Sequence, residues 1–187
     1  MTVYIDIIGS LIIRATMVVI VLSLNVTLNN AMYERSSRVV LKERATYIAD
    51  QMRADIANLG NGVESWYRPR LDGDTTYLWF VGDMDNNGSY EDVVYYLDSD
   101  ATQPGSYIMY RVVGSGSPQE MGRSITSFGV TFYQLSGNVT SNSYYAKSFA
   151  VQFTMKSDKP VSYNVESSKR VYPAYSWKMR FFPSQIY

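Results

Sequence analysis

The apolar run VYIDIIGSLIIRATMVVIVLSLNVTL at residues 3–28 decides the fold of this chain. As an α-helix, the part from Ile7 to Leu24 is long enough to cross a hydrocarbon core about 30 Å thick, at about 1.5 Å per residue. No proline precedes Pro69, so nothing in the sequence stops the helix before residue 60. The run therefore predicts a membrane-spanning helix that continues into the next stretch as a single rod of roughly 85 Å.

Two charged residues lie inside this apolar run, Asp6 near its start and Arg14 in its middle. An ionised side chain within a membrane costs at least about 2.5 kcal/mol and usually has a partner. Eight positions along one helix separate the two by roughly 12 Å of rise and about 80° of rotation, which is too far for contact. We expect identical helices staggered by roughly 12 Å, so that Asp6 of one chain faces Arg14 of the next. In the alternative, Arg14 reaches water along its stem and Asp6 lies at the membrane interface.

The second half of the predicted helix carries an apolar stripe on one face. Its members recur at steps of three and four residues, the period of a helix: Leu41, Ala45, Ile48, Met52, Ile56 and Leu59. Charged residues occupy the other faces: Arg38, Lys42, Glu43, Arg44, Asp50, Arg53 and Asp55. Gly60 follows the stripe as a typical C-terminal cap. We expect the stripe to pack on the following domain, and any bend to fall at Gly9-Ser10 or in the polar cluster at residues 25–30.

Length and composition limit the rest of the chain. Of 187 residues, about sixty form the helix, which leaves one compact domain, and we divide the chain into 1–60 and 61–187. The 17 basic and 17 acidic residues give a net charge of zero, so nucleic acid binding is not expected. The chain has no Cys and no His, which excludes disulfides, thiolate chemistry, the usual zinc sites and the common catalytic triads. An enzyme is therefore not expected.

After the helix, the sequence predicts short antiparallel strands. Trp66 lies in a Gly-rich and Pro-containing loop, where we expect it at the junction of helix and sheet. Runs rich in β-branched and aromatic residues predict strands at 76–81, 92–97, 108–113, 127–135 and 147–155, with shorter ones at 162–165 and 178–182. Phe149, Val151 and Phe153 alternate with polar residues, so one face of their strand is covered. The fold class is α+β, a long N-terminal helix with a C-terminal antiparallel sheet.

The run from Gly82 to Asp92 holds the main cluster of potential metal ligands. Oxygen-bearing side chains alternate along it before and after Gly88, as in the loop of an EF-hand. The candidate ligands are Asp83, Asp85, Asn87, Ser89, Glu91 and Asp92. Calcium is the fitting ion because the ligands are many, flexible and all oxygen, although the Glu that closes an EF-hand loop at its twelfth position is missing. The alternative is an Asx-rich hairpin turn that holds no ion.

The helix and the acidic turn together carry a family resemblance. A long N-terminal helix, apolar and then amphipathic, before a β-rich head resembles type IV pilins and the pseudopilins of type II secretion. Those families place a Glu at the fifth mature position, whereas this chain has Asp6, and Arg14 is our candidate for its partner. In the head, the Gly82-Asp83 turn, the strand at 94–97 and the pair Tyr110-Arg111 resemble a segment of minor pseudopilins. Met1 is then either the processed terminus or an unprocessed start.

The sequence and the resemblance together predict a function in assembly. We expect a structural subunit of an extracellular type IV pilus-like filament, held in the inner membrane before assembly and handled by pilus or secretion machinery. Its partner is itself, through residues 1–59. The alternatives are a minor pseudopilin of a secretion pseudopilus, or a membrane-anchored module whose Tyr-rich head binds a glycan or a protein. Asn138 begins an Asn-Val-Thr acceptor pattern for N-linked sugar in a polar turn, for which a plain solvated hairpin is the alternative.

Overall fold

A computed structural model describes residues 2–62, 71–160, 162–164 and 169–183, so Trp66 lies outside the described residues. One helix, α1 (Thr2–Ala57), runs for 56 residues, or roughly 84 Å. It continues unbroken through both stretches where the sequence predicts a bend. Polar side chains there bond within the helix: the hydroxyl of Ser10 donates to the carbonyl of Ile7 at 3.0 Å, and that of Thr27 donates to the carbonyl of Ser23 at 2.9 Å. The predicted rod is confirmed.

The head is one antiparallel sheet with a small separate hairpin. Within the described ranges, ten strands follow α1: β1 (Leu71–Gly73), β2 (Tyr77–Gly82), β3 (Glu91–Ser99), β4 (Tyr107–Val113), β5 (Gln119–Tyr133), β6 (Val139–Thr140), β7 (Ser148–Lys156), β8 (Ser162–Asn164), β9 (Lys169–Val171) and β10 (Ala174–Phe181). A short 3-10 helix (Ser143–Tyr145) precedes β7. The main sheet has the order β1-β2-β3-β4-β5-β7-β10, with β6 paired to β5, while β8 and β9 pair with each other. The α+β class predicted from the sequence is confirmed.

Four of the predicted strands match β2, β3, β4 and β7 to within two residues. The prediction at 127–135 covers only the second part of β5, because its first part includes the polar residues Gln119, Glu120, Arg123 and Ser124 and lacks an alternating apolar pattern. Within β5 the pairing changes: its first part pairs with β4 and its second with β7, with shifts of register along both ladders. Ser124 has a φ of 63° at this point, which turns the strand.

The apolar stripe of α1 forms one side of the core, as predicted. All six of its members are buried, and Ala45, Ile48 and Met52 are completely inaccessible. They pack against one face of the sheet, where the largest buried side chains include Phe80, Phe149 and Phe153. Burying a side chain the size of Ile48 stabilises the fold by about 1.5–3 kcal/mol. The last five turns of α1 thus belong to the core of the head.

The predicted end of the helix at Leu59-Gly60 is wrong by two residues. After Ala57 the chain turns, and Leu59 forms an isolated antiparallel bridge with Gly82 at the end of β2. The amide of Gly60 donates to the carbonyl of Val81 at 2.9 Å, with a φ of 81° at Gly60. Pairing with the sheet satisfies these backbone groups where a further helical turn would compete for them. Gly60 therefore has the left-handed conformation that is common in a helix cap, and its amide bonds to β2.

Candidate functional site

The first part of α1 is an exposed apolar surface. Among the residues whose burial is described, the first buried one is Leu41. Before it, large apolar side chains are mostly open to solvent, with Leu11 65% and Val19 64% exposed. Soluble proteins rarely expose a contiguous apolar surface of this extent, and such surfaces mark contacts with membrane or protein. By length and composition α1 can cross a membrane, so it can serve as a membrane anchor.

Asp6 and Arg14 are the two charged residues within the apolar run of α1 at residues 3–28. Further along the helix some charges pair with each other, as Arg38 does with Glu34 at 2.7 Å and Arg53 with Asp50 at 3.0 Å. In the described part of the chain, neither Asp6 nor Arg14 has a hydrogen bond or an ion pair, and both are exposed. Because α1 is continuous, their eight-residue separation fixes roughly 12 Å between them along its axis. The two side chains therefore have the geometry that the sequence predicts, and their pairing between chains stays a prediction.

The turn between β2 and β3 gathers three of the six candidate metal ligands. Carboxylate oxygens of Asp83, Asp85 and Glu91 lie within 4.8 Å of one another. The two oxygens of Asp83 accept hydrogen bonds from the amides of Asn87 at 3.1 Å and Gly88 at 2.9 Å. Glu91 closes the turn by accepting a bond from the amide of Met84 at 2.9 Å. The three carboxylates therefore lie close enough together to contact a single cation.

Of the other three candidates, Asp92 lies outside this carboxylate cluster, and Asn87 and Ser89 are bonded to each other within the turn. The side-chain oxygen of Asn87 accepts the amide of Ser89 at 2.7 Å, and its nitrogen donates to Asp85 at 2.9 Å, so both act within the turn. Asp92 lies in β3 with its neighbour Val93 buried, so its side chain points to the outer face of the sheet, away from the core. Asp83 is 6% exposed, and Gly62 packs so closely on it that a Cβ added there would lie 2.9 Å from the Cβ of Asp83. The turn is thus fixed against the chain that leaves α1.

The donor set of this turn fits a hard cation such as calcium, because all three groups are carboxylates held at oxygen-to-oxygen distances suited to one ion. We expect calcium at a hundredfold excess over its Kd to raise the free energy of unfolding by about 2.7 kcal/mol and the Tm by roughly 5–10 °C relative to a chelator. Thermal unfolding of the full chain, followed by circular dichroism, measures the difference. Asp85→Asn should remove the difference, whereas Asp92→Asn should keep it. Identical melting curves with calcium and with chelator would leave only an Asx-rich turn.

A buried ion pair joins α1 to the sheet. The predicted exposure of Asp55 is wrong: it is 4% exposed and accepts two bonds from Arg111 of β4, Nε to Oδ2 at 2.6 Å and Nη2 to Oδ1 at 2.9 Å. The hydroxyl of Tyr95 in β3 also donates to Oδ2, and Gln51 donates to Oδ1 at 3.1 Å. The sequence does contain a signal for the burial of Asp55. Positions 45, 48, 52, 55 and 59 recur at steps of three and four residues, which places Asp55 on the buried stripe.

Burial acts on the pKa of Tyr95, and hydrogen bonding acts on the pKa of Arg111. Burial raises the pKa of the Tyr95 hydroxyl well above its ordinary value, and the negative charge of Asp55 raises that pKa further. The hydrogen bonds to Asp55 raise the pKa of Arg111. Tyr95 is therefore a neutral donor and Arg111 a cation at any physiological pH, and both stabilise the carboxylate that α1 brings into the core.

Asn138 lies in the exposed turn between β5 and β6. Its carbonyl accepts the amide of Gln134 at 2.9 Å, and the adjacent Gly137 has a φ of 85°. Its position suits an acceptor for sugar, because a glycan needs a surface site. Glycosylation at Asn138 stays a prediction.

No family model, curated protein or solved structure matches this chain. The resemblance to type IV pilins and pseudopilins rests on the residues themselves: the helix with Asp6, the acidic turn at Asp83 and the strand with Tyr95. The structure confirms a long N-terminal helix and an antiparallel sheet.

Proposed function

We propose that this chain is a structural subunit of an extracellular type IV pilus-like filament and polymerises through the exposed part of α1. The observation that carries the proposal is the pair Asp6 and Arg14, two opposite charges in an apolar helical surface with no partner in the described part of their own chain. A helix that only anchors a head gains nothing from a charge at its midpoint, because that charge costs at least about 2.5 kcal/mol in lipid. A second copy of the same helix supplies the opposite sign.

The geometry of α1 favours a staggered bundle. Sliding one helix by roughly 12 Å along its neighbour brings Asp6 of one level with Arg14 of the other. Such a bundle excludes water from the pair, and the attraction between the two charges offsets the free-energy cost of their desolvation. Before assembly the same surface rests in the inner membrane, and polymerisation exchanges lipid contacts for helix contacts. We propose no chemical reaction, because the proposed function is polymerisation.

Two other functions use the same helix. A minor pseudopilin at the tip of a secretion pseudopilus would share the fold and the acidic turn, and would differ in being rare within its filament. A membrane-anchored binding module would use α1 only as an anchor, which its length and composition permit. The mass fraction of the chain in surface material sheared from cells separates a major subunit from a tip component.

Charge reversal tests the filament. We expect Asp6→Arg and Arg14→Asp to abolish polymer when made singly, because each brings like charges together at every contact. Both single variants should still insert in the membrane, which carbonate extraction measures. The double variant restores an opposite-charge pair and should recover filaments in electron micrographs. Filaments from both single variants, at the wild-type yield, would contradict pairing between chains and leave the anchored module as the better proposal.

A further inference from the structure

The head divides its charge between its two halves, although the whole chain is neutral. Residues 71–125, which contain β1 to β4 and the first part of β5, hold nine acidic residues and two basic ones. Both of those bases are already engaged, Arg111 with Asp55 and Arg123 with Glu120 at 2.7 Å. Residues 126–187 reverse the balance, with seven basic residues and two acidic ones. The zero net charge therefore conceals a strongly polar head.

The acidic half has a distinct outer surface, which we call the acidic face: the outward side chains of β2, β3 and β4. Alternation along β3 places Asp92 and Asp98 on this face, opposite the buried Val93 and Tyr95. Four half-buried aromatic residues lie between and beside them: Tyr77, Trp79, Tyr96 and Tyr110. Tyr96 and Tyr110 stack with their ring centroids 5.5 Å apart. Aromatic rings beside carboxylates form a surface that favours cations, through cation–π and ion-pair contacts.

The basic half has the complementary surface, which we call the basic face: the outward side chains of β7 and β10. Lys156, Lys178 and Arg180 lie on it, opposite the buried Phe153 and Phe181. Lys156 and Arg180 already lie over rings of their own chain, 4.3 Å from the ring centroid of Tyr172 and 4.1 Å from that of Tyr133. Lys178 is exposed and forms no ion pair within the described ranges of the chain.

The two faces do not neutralise each other within one head. In the sheet order, β3 lies three strands from β7 and four from β10, which is roughly 14 Å and 19 Å along the sheet at about 4.8 Å per strand. The Debye length at physiological ionic strength is about 8 Å, so each face presents its own sign to a neighbour. A partner that satisfies both faces must carry a basic surface and an acidic one of matching extent. A second copy of this chain carries both.

We infer that neighbouring heads contact each other head to tail, with the acidic face of one copy on the basic face of the next. Such a contact joins two different surfaces and leaves one of each free on the outer copies, so it can repeat from copy to copy along the filament that α1 forms. The inference rests on the proposed filament for its repetition, since α1 must first bring the heads side by side. The contact between heads is a second interface, in addition to the one between helices. It would fix how neighbouring heads are oriented around the helix bundle.

Cross-linking of the full-length chain tests the contact, because the chain has no cysteine of its own. Filaments are assembled from a mixture of Asp98→Cys and Lys178→Cys subunits and treated with a short bismaleimide. We expect dimers joined between positions 98 and 178 in the mixture, and little dimer from either variant alone. Ser136→Cys, in the exposed turn before β6, serves as the matched control and should give little product with either. Filaments that form without the 98–178 product would overturn the inference and leave the proposed function intact.

Charge reversal gives an independent measurement. One double variant, Lys156→Glu with Lys178→Glu, reverses the basic face, and another, Asp92→Lys with Asp98→Lys, reverses the acidic face. We expect each to raise the critical concentration for assembly about tenfold. The effect is no larger because exposed ion pairs contribute little, although reversal also adds repulsion between like charges. Combining all four substitutions restores opposite signs and should return the critical concentration to near its original value. If all three variants assemble like the wild type, the inference fails. If the wild type forms no filament, the proposed function fails, and the cross-link between detergent-solubilised chains still decides the contact between heads.

Discussion

Arg111→Met is expected to lower the free energy of unfolding by about 3–5 kcal/mol, because it leaves the carboxylate of Asp55 buried without its cation. Asp55 is 4% exposed and receives two bonds from Arg111, so water cannot replace the guanidinium without opening the contact between α1 and the sheet. Urea unfolding of the full chain in mild detergent, followed by tryptophan fluorescence, measures the loss.

Two matched variants make this result specific. Arg123→Met makes the same substitution in an exposed arginine–carboxylate pair, with Glu120, and should cost less than about 1 kcal/mol. Asp55→Leu combined with Arg111→Met removes both charges of the pair and should recover much of the stability lost by Arg111→Met alone. An Arg111→Met variant as stable as Arg123→Met would show that Asp55 finds water or another partner, and that the ion pair does not join helix to sheet.

Gly82→Ala is the second large effect that we expect, at about 3 kcal/mol of lost stability. A Cβ at this position would lie 2.3 Å from the carbonyl oxygen of Asn58 and 2.7 Å from Cε of Met84. The methionine can move, but the oxygen belongs to the backbone between α1 and the bridge at Leu59, so the end of the helix must separate from β2. Hydrogen exchange at the amide of Gly60, which bonds to Val81, should quicken together with the loss of stability.

Gly129→Ala is the control for this prediction. A Cβ there would meet only the side chain of Gln152, at 3.6 Å, which is an ordinary contact. Gly129 lies inside β5, where alanine loses less conformational entropy on folding, so we expect no loss of stability. Equal effects of Gly82→Ala and Gly129→Ala would mean that the close approach of Asn58 does not constrain the head.

The sequence predicts the layout of this fold well, because its strongest signals are periodic. The apolar run at residues 3–28 and the stripe that ends at Leu59 are long and regular, so they outweigh local exceptions such as Gly9. Strands with clear alternation, such as β7, were predicted to within two residues. The first part of β5 was missed, because Glu120 and Arg123 bond to each other on the surface and interrupt the apolar pattern.

The sites were harder to predict, since they depend on which segments meet. Asp55 and Arg111 are 56 residues apart, and nothing local indicates that each is the other's partner. In the acidic turn, composition alone suggests six ligands, whereas the direction of β3 turns Asp92 away from Asp83, Asp85 and Glu91. The charges of the head were also hidden by the neutral total, because a sum over the chain does not show which strands carry each sign.

The unbroken course of α1 also determines how force passes through the subunit. Its exposed turns and its last five turns form one rod, and those last turns are held in the head by the core and by the Asp55 ion pair. Because the described part of the rod contains no hinge, a pull or a twist at its N-terminal end reaches the sheet undiminished. Rotation of the helix by one residue, about 100°, would swing the entire head around the axis by the same angle. In the proposed filament, tension along a row of subunits would therefore pass from rod to head with no joint in the described part of α1 to absorb it.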